Sequence, residues 1–362
     1  MKRAFGVLAA LLLLGGVAYA LLKPSDSDPA DGAVTVTGVI GSEKRAFFQD
    51  PDVIAELAKQ GLKVNTETTG SWLMGEVKLN TMDFAFPASI SAAEALRNQL
   101  TIKDAPVRPF YSPLVILAHG PVAEVLAQNG LASVDPATRV WTFKMDAYLD
   151  AVKAGRKWQE LKGADAHPEL SGSVYLTTTD PASSSSGALY LAVLSYLQNN
   201  HQVVSDPAGV AATKDVLRTV TTMQGDQKSS SDEPFKDFVS GFGNPLVLAY
   251  ESQAAELAVK ETPTGDMVVL YPDTTVSSDH TIVGRTEGGR KLANLLRDNA
   301  RLRELEARYG FRPQADPAAF ATAVKGRTNP TFAPDLAAAK LKQAPVPSSE
   351  VLTMLTDAAK GK

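Results

Sequence analysis

The chain has 362 residues, 44% hydrophobic and 21% charged, with a net charge of −4. That length carries a sizeable core in one large domain or two ordinary ones, and the acidic balance argues against a general nucleic-acid binder, which needs a basic surface. With no cysteine, disulfides, thiolate metal sites, Cys nucleophiles and a lipid-bearing Cys are all excluded.

In chain order, Lys2 and Arg3 precede an uncharged run over 4–22. Read as a membrane anchor, the run is long enough for one span. Read as a secretory signal, it holds Ala18-Tyr19-Ala20, a small-x-small cleavage site. Gly15-Gly16 favours cleavage; the lack of polar residues up to Lys23 favours retention. Both readings leave 1–22 as signal or anchor and send the remainder across a membrane, since the positive end stays inside. Residues 23–33, with Pro24, Pro29 and Gly32, read as a flexible linker.

The folded part begins with a β-branched strand over 34–40. Gly41-Ser42-Glu43-Lys44 then opens a helical stretch to Lys59, Gly61 stops it, and 62–66 is the next strand, a β–loop–α–β unit. Thr69-Gly70-Ser71 leads into a helix-like piece over 72–79, and 82–87 is a short buried strand. Ser91 to Glu94 form a capping box for a helix to Gln99. A continuous apolar strand follows over 114–118, with helices expected over 122–128 and 146–154. The run 174–178 reads as a strand. Asp180-Pro181 marks a turn, Ser183 to Ser186 set hydroxyls beside backbone N–H groups, and Gly187 admits a close approach. Helices are expected over 189–197, 207–222, 234–239 and 286–309, strands over 246–251 and 267–272, and a charged loop over 226–232. The tail is Ala- and Pro-rich, with a short helix over 349–359.

This alternation predicts an α/β fold with sheets covered on both faces, in which ligands gather at the carboxyl ends of strands. Three loops, 41–44, 69–71 and 183–187, offer helix-start N–H groups and hydroxyls to an anion or polar ligand. The same serines also serve as plain N-caps. Convergence on one cleft requires two lobes facing each other.

The order of these features resembles the type II periplasmic solute-binding proteins, the extracytoplasmic receptors of ABC transporters, over about residues 34–313. It is most similar to the branch that binds oxyanions such as phosphate, sulfate or molybdate. The likeness rests on Gly41-Ser42 after the first strand, Thr69-Gly70-Ser71 after the second, Asp83-Phe84-Ala85 on the third, Tyr111 to Ile116 as a crossing strand, Asp180-Pro181 with 183–187 as a ligand loop, and 246–251 as the return crossing. The resemblance implies a two-lobed fold with two sheets flanked by helices: lobe 1 from 34–116 plus 250–345, lobe 2 from 117–249, and a C-terminal tail over 346–362. It implies ligand contacts at Ser42, the backbone of Glu43, Gly70, Ser71, Ser184, Ser185, Ser186, Gly187 and Tyr250. It further implies a membrane permease as partner, a place in the periplasm or on the outer face of the cytoplasmic membrane, and no catalysis. An anchored sensor or interaction protein that keeps the fold without transport is the alternative, because the lipid-attachment Cys of many such receptors is missing.

Individual charges complicate the picture. Lys44 and Arg45 read as a solvated helix face, though either is placed to balance an anion. Glu251 would repel a fully ionised anion; it is placed either to accept a proton from a ligand, to pair with an amine, or to sit as a surface charge at a strand end. Trp72 follows Ser71 and is a candidate cleft wall or core residue. His119, His167, His201 and His280 lack ligand spacing, so no metal site or cofactor is expected; His280 reads as a solvated loop residue. Gly-x-Ser-x-Gly, His-Glu-x-x-His, Walker and Gly-x-Gly-x-x-Gly motifs are absent from the sequence.

Overall fold

The computed structural model describes residues 32–362. The 1–22 segment and nearly all of the 23–33 linker lie outside the described residues. Among the described residues, no helix is long and apolar enough to cross a membrane.

β1 (Val34–Ile40) leads through a 3-10 turn at Ser42–Lys44 into α1 (Arg45–Phe48) and α2 (Pro51–Lys59). Asp50 caps α2 by accepting from the Asp52 and Val53 N–H groups, and Pro51 supplies a first residue with preset φ. β2 (Leu62–Thr68) and β3 (Phe84–Phe86) flank β1, both parallel to it. α3 (Ile90–Gln99) starts two residues earlier than the expected box: Ser89, not Ser91, caps it by accepting from Ala92.

β4 (Val107–His119) is the spine of the molecule. It is followed by α4 (Gly120–Gln128), the hairpin β5 (Ala132–Val134) and β6 (Trp141–Phe143), then α5 (Met145–Lys153), α6 (Ser185–Gln198), α7 (Pro207–Thr222) and α8 (Asp232–Val239). β7 (Val247–Tyr250) runs straight into α9 (Glu251–Val259); β8 (Met267–Pro272), β9 (Thr274–Thr275) and β10 (Ser277–Gly284) follow. The chain ends with α10 (Glu287–Asp298), α11 (Ala300–Arg308), β11 (Arg312–Pro313), α12 (Pro317–Ala323), β12 (Lys342–Gln343) and α13 (Ser349–Lys360).

The first part of β4 pairs antiparallel with β10, setting Tyr111 opposite Asp279 and Phe110 opposite His280. Its second part pairs with β7 on one side and β8 on the other. The strands therefore form one hydrogen-bonded path, β2-β1-β3-β10-β4-β8-β6-β5, with β7 and β11 also on β4. The two sheets expected from the sequence are thus joined, because a single 13-residue strand belongs to both.

One half of this sheet buries Val36, Ile40, Phe47, Phe84, Phe110 and Leu292 in a common core. In the other half the alternation along β4 sorts side chains to two faces. Leu114, Ile116 and Ala118 pack with α4 to α7, whereas Val115 and Leu117 pack with α8, α9 and α12. Segment 250–345 is divided between the halves: β8 and α9 pack with the second, β10 and α10 with the first. The expected tail is a core element, with Leu352 and Leu355 of α13 buried against α6 and α7.

Three expected elements differ. Residues 72–79 form two short 3-10 turns, Met74–Glu76 and Leu79–Thr81. Residues 174–178 contribute only a bridge, Thr177 to Val247. The long helix breaks at Asn299, whose ψ of 118° leaves the helical region and whose side chain caps α11 by accepting from Leu302 at 3.0 Å.

Candidate functional site

β1, β2 and β3 are parallel, so the loops after them emerge on one edge of the sheet, where α/β folds present their ligand groups. These loops carry Ser42 to Lys44, Gly70-Ser71 and Ala88-Ser89. Opposite them lie the first turn of α6, the 226–232 loop and the end of β7. Ser42 Oγ accepts from Ser230 Oγ at 2.9 Å. Ser89 Oγ and Ser185 Oγ are 2.9 Å apart. The Trp72 N–H donates to the Ser183 carbonyl at 3.0 Å. Gly70 is required here, since a Cβ on it would fall 2.3 Å from that same carbonyl oxygen. Ser42, Ser71 and Ser185 thus share one neighbourhood.

Within it the hydroxyls form a linked set. Ser71 Oγ accepts the Ala88 N–H at 3.0 Å, and Ser278 donates to the Ala88 carbonyl. Ser186 Oγ lies 2.8 Å from Thr179 Oγ and 3.1 Å from Ser184 Oγ. Ser184 to Gly187 form the buried start of α6. Gly187 has a packing reason: a Cβ there would lie 2.3 Å from the Thr179 carbonyl oxygen. Burial, then the Glu43 charge, hold the pKa of the buried Tyr250 well above the usual range, with Ser278 and Ser186 opposing.

The centre of the site is charged, and this the sequence reading missed. Lys44, expected on a solvated face, is fully buried, whereas Arg45 beside it is exposed. The Lys44 ammonium contacts the Glu43 carboxylate and lies 3.1 Å from His280 Nδ1. Glu43 Oε1 is 3.4 Å from the same ring nitrogen. His280 is fully buried on β10 rather than solvated, packed by Phe110, Tyr250 and Phe311. Burial, then the Lys44 charge, lowers the His280 pKa to about 4, so the ring is neutral at pH 7. Nδ1 then accepts from Lys44, and the ring proton sits on Nε2, which has no hydrogen-bond partner among the described residues. Burial alone would raise the Glu43 pKa, but the Lys44 ammonium opposes it by charge and hydrogen bond, and the carboxylate stays far below its ordinary range. Burial lowers the Lys44 pKa, with Glu43 opposing.

Glu251 does not join this set. It begins α9 instead of ending a strand, and its carboxylate accepts from Arg312 Nε at 2.6 Å and Nη2 at 2.8 Å. The Tyr271 hydroxyl also donates to it. Asp180 caps its turn by accepting from Ala182 and pairs with Lys360 at 2.7 Å. Trp72 packs on the larger core.

Beside the charged centre a cleft of about 330 Å³ opens between the halves, lined by Ser42, Glu43, Arg45, Asp232, Lys236 and Gln253 among others. A larger groove of about 860 Å³ lies behind the crossing strands, near Arg108, Tyr111, Asp279 and Arg312. None of the converging loops reaches it, and both of its arginines are already paired, Arg108 with Asp279 and Arg312 with Glu251.

No family model and no curated protein matches the sequence. Solved structures do. The periplasmic binding protein AfuA from Actinobacillus pleuropneumoniae, with fructose-6-phosphate bound, superposes with a TM-score of 0.56 at 11% identity, covering 90% of this chain and 98% of its own. The fold is that of the periplasmic solute-binding proteins. The sulfate-binding protein SubI from Mycobacterium tuberculosis gives 0.52 at 15% identity, covering 82% of this chain and 93% of its own. An ABC-transporter solute-binding protein from Thermotoga lettingae with α-D-tagatose bound gives 0.52 at 14%, covering 91% and 95%.

Proposed function

We propose that this chain is an extracytoplasmic solute-binding protein that holds a small polar solute between two lobes and delivers it to an ABC-type membrane permease, without catalysis. The lobes would hinge where β4, β7 and β10 cross. The observation that carries the reading is the meeting of the Ser42, Ser71 and Ser185 loops, drawn from three distant stretches of chain, beside a cleft in the size range of small-ligand sites. Hydroxyls and N–H groups suit an oxyanion or a hydroxylated solute alike; Ser42, the Glu43 backbone, Ser71, Ser184 to Ser186 and Tyr250 are the proposed contacts. Neighbours of this fold with fructose-6-phosphate, sulfate and tagatose in their descriptions support a small polar ligand.

Thermal-shift screening against phosphate, sulfate, molybdate, sugars and amino acids tests it. At least one solute raises the midpoint, because binding to the folded state stabilises it, and Ser71→Ala and Ser185→Ala each weaken that shift. A second reading, an anchored interaction protein that no longer takes a solute, draws on the direct contacts across the cleft, where Ser42 meets Ser230 and Ser89 meets Ser185. A panel without a single stabilising solute favours it over the first.

A further inference from the structure

We propose that Glu43 is a tethered anion that fills the anion seat on Lys44 beside the cleft, so the solute presents an uncharged, hydroxyl-like face to Ser42 and Glu43. This deepens the reading above and rests on it. The seat is built from buried groups. The Lys44 ammonium is fully sequestered, stands 3.1 Å from His280 Nδ1, and faces the Phe86 ring at 4.8 Å. With the His280 ring neutral, Lys44 is the one positive charge of this cluster. An unpaired ammonium at such depth is costly, so a negative oxygen must meet it.

The chain supplies that oxygen itself. The Glu43 side chain is 4% exposed and folds back over Gly41 to reach both Lys44 and His280. Gly41 makes room: a Cβ there would lie 2.4 Å from Glu43 Oε1 and 2.5 Å from Oε2. Glu43, Lys44 and His280 together carry no net charge. A sulfate or phosphate entering here would meet a carboxylate at contact distance, with no cation of the cluster left over. A neutral hydroxyl would instead find an acceptor on Glu43 and a donor on Ser42, both of which line the cleft. Glu43, next to the serine that suggested an oxyanion, is the residue that would turn one away.

The test is isothermal titration with sodium sulfate, and in parallel sodium phosphate, at pH 6.5 and low ionic strength. The wild-type chain shows no saturable binding at millimolar anion. Glu43→Gln, which leaves Lys44 uncompensated, binds sulfate at least tenfold more tightly, and Glu43→Gln/Lys44→Met loses the gain. Should Gln fold poorly, Glu43→Ala vacates the seat and must show the same gain. Micromolar sulfate binding by the wild-type chain, or no gain in either Glu43 variant, overturns the proposal. That result leaves the cleft reading intact wherever sugars still shift the melting midpoint. A gain that Lys44→Met removes but Ser71→Ala and Ser185→Ala leave untouched upholds the anion seat and counts against the shared cleft.

Discussion

Arg312 is the residue whose loss the structure predicts most sharply. Its guanidinium is buried on β11 and makes two hydrogen bonds to Glu251, one to the Ala333 carbonyl at 2.5 Å and one to the Pro334 carbonyl at 3.1 Å. It also stacks 3.7 Å from the Phe320 ring. It thereby ties the C-terminal region to the start of α9, one residue beyond Tyr250. Arg312→Met keeps most of the apolar stem and removes the charge. Leaving a buried carboxylate without its cation costs about 3 kcal/mol at the low end, and stranding two carbonyls adds about 1 kcal/mol even if water reaches one of them. The expected loss is about 4 kcal/mol. Urea unfolding followed by circular dichroism reads it as a lower midpoint at unchanged slope. Glu251→Leu/Arg312→Met removes both charges and recovers at least about 2 kcal/mol of that loss, since most of the penalty belongs to the orphaned carboxylate. A single variant within about 1 kcal/mol of wild type, or a double variant no better than the single, refutes the reasoning.

Other outcomes follow from the same geometry. Gly70→Ala places a Cβ 2.3 Å from the Ser183 carbonyl and holds the halves apart; any solute identified by the screen binds it at least tenfold more weakly by titration, about 1.4 kcal/mol, while the melting midpoint of the ligand-free protein changes little. Gly187→Ala sets its Cβ equally close to the Thr179 carbonyl inside the second half, so it lowers stability by about 1–3 kcal/mol in urea unfolding. Glu306 on α11 is buried with neither carboxylate oxygen partnered among the described residues, and burial raises its pKa well above the usual 4.5, Arg303 opposing. Its folded pKa lies above the unfolded one, so its contribution is fully present below pH 4.5 and is lost as pH rises through the folded value. Glu306→Gln therefore matches wild type near pH 4 and unfolds at higher urea at pH 8; equal midpoints at both pH values contradict it.

Periodicity made much of the fold legible. The β-branched run of β1, the apolar run inside β4 and the leucine spacing of α10 and α11 are local signals, and each lies where the pattern placed it. What escaped were features decided by distant partners. Residues 174–178 look like a strand, but with one side of β7 open to them only Thr177 pairs. Asn299 reads as helical filler until its side chain is seen capping α11. β10 is polar in sequence, Ser-Ser-Asp-His-Thr, because it threads through the site; nothing local marks it as the strand joining the two halves. The candidate site shows the same division. Small residues after strands flagged Ser42, Gly70, Ser71 and Ser184 to Ser186. Ser89, Ser230 and Ser278 carried no flag, and Lys44 and His280, though singled out, read as solvated, because a buried lysine and a solvated one look alike until their partners are known. Glu251 was drawn in by its neighbour Tyr250, and only the turn into α9 sends its carboxylate to Arg312.

The absence of cysteine makes one measurement especially clean. Ser42→Cys/Ser230→Cys joins two positions whose hydroxyls are 2.9 Å apart across the cleft, so mild oxidation should lock the halves together. A solute that stabilises the reduced form should then give no thermal shift with the oxidised form, and reduction should restore it. A pair that never cross-links, or a solute that shifts both forms equally, would mean that the loops do not enclose the ligand.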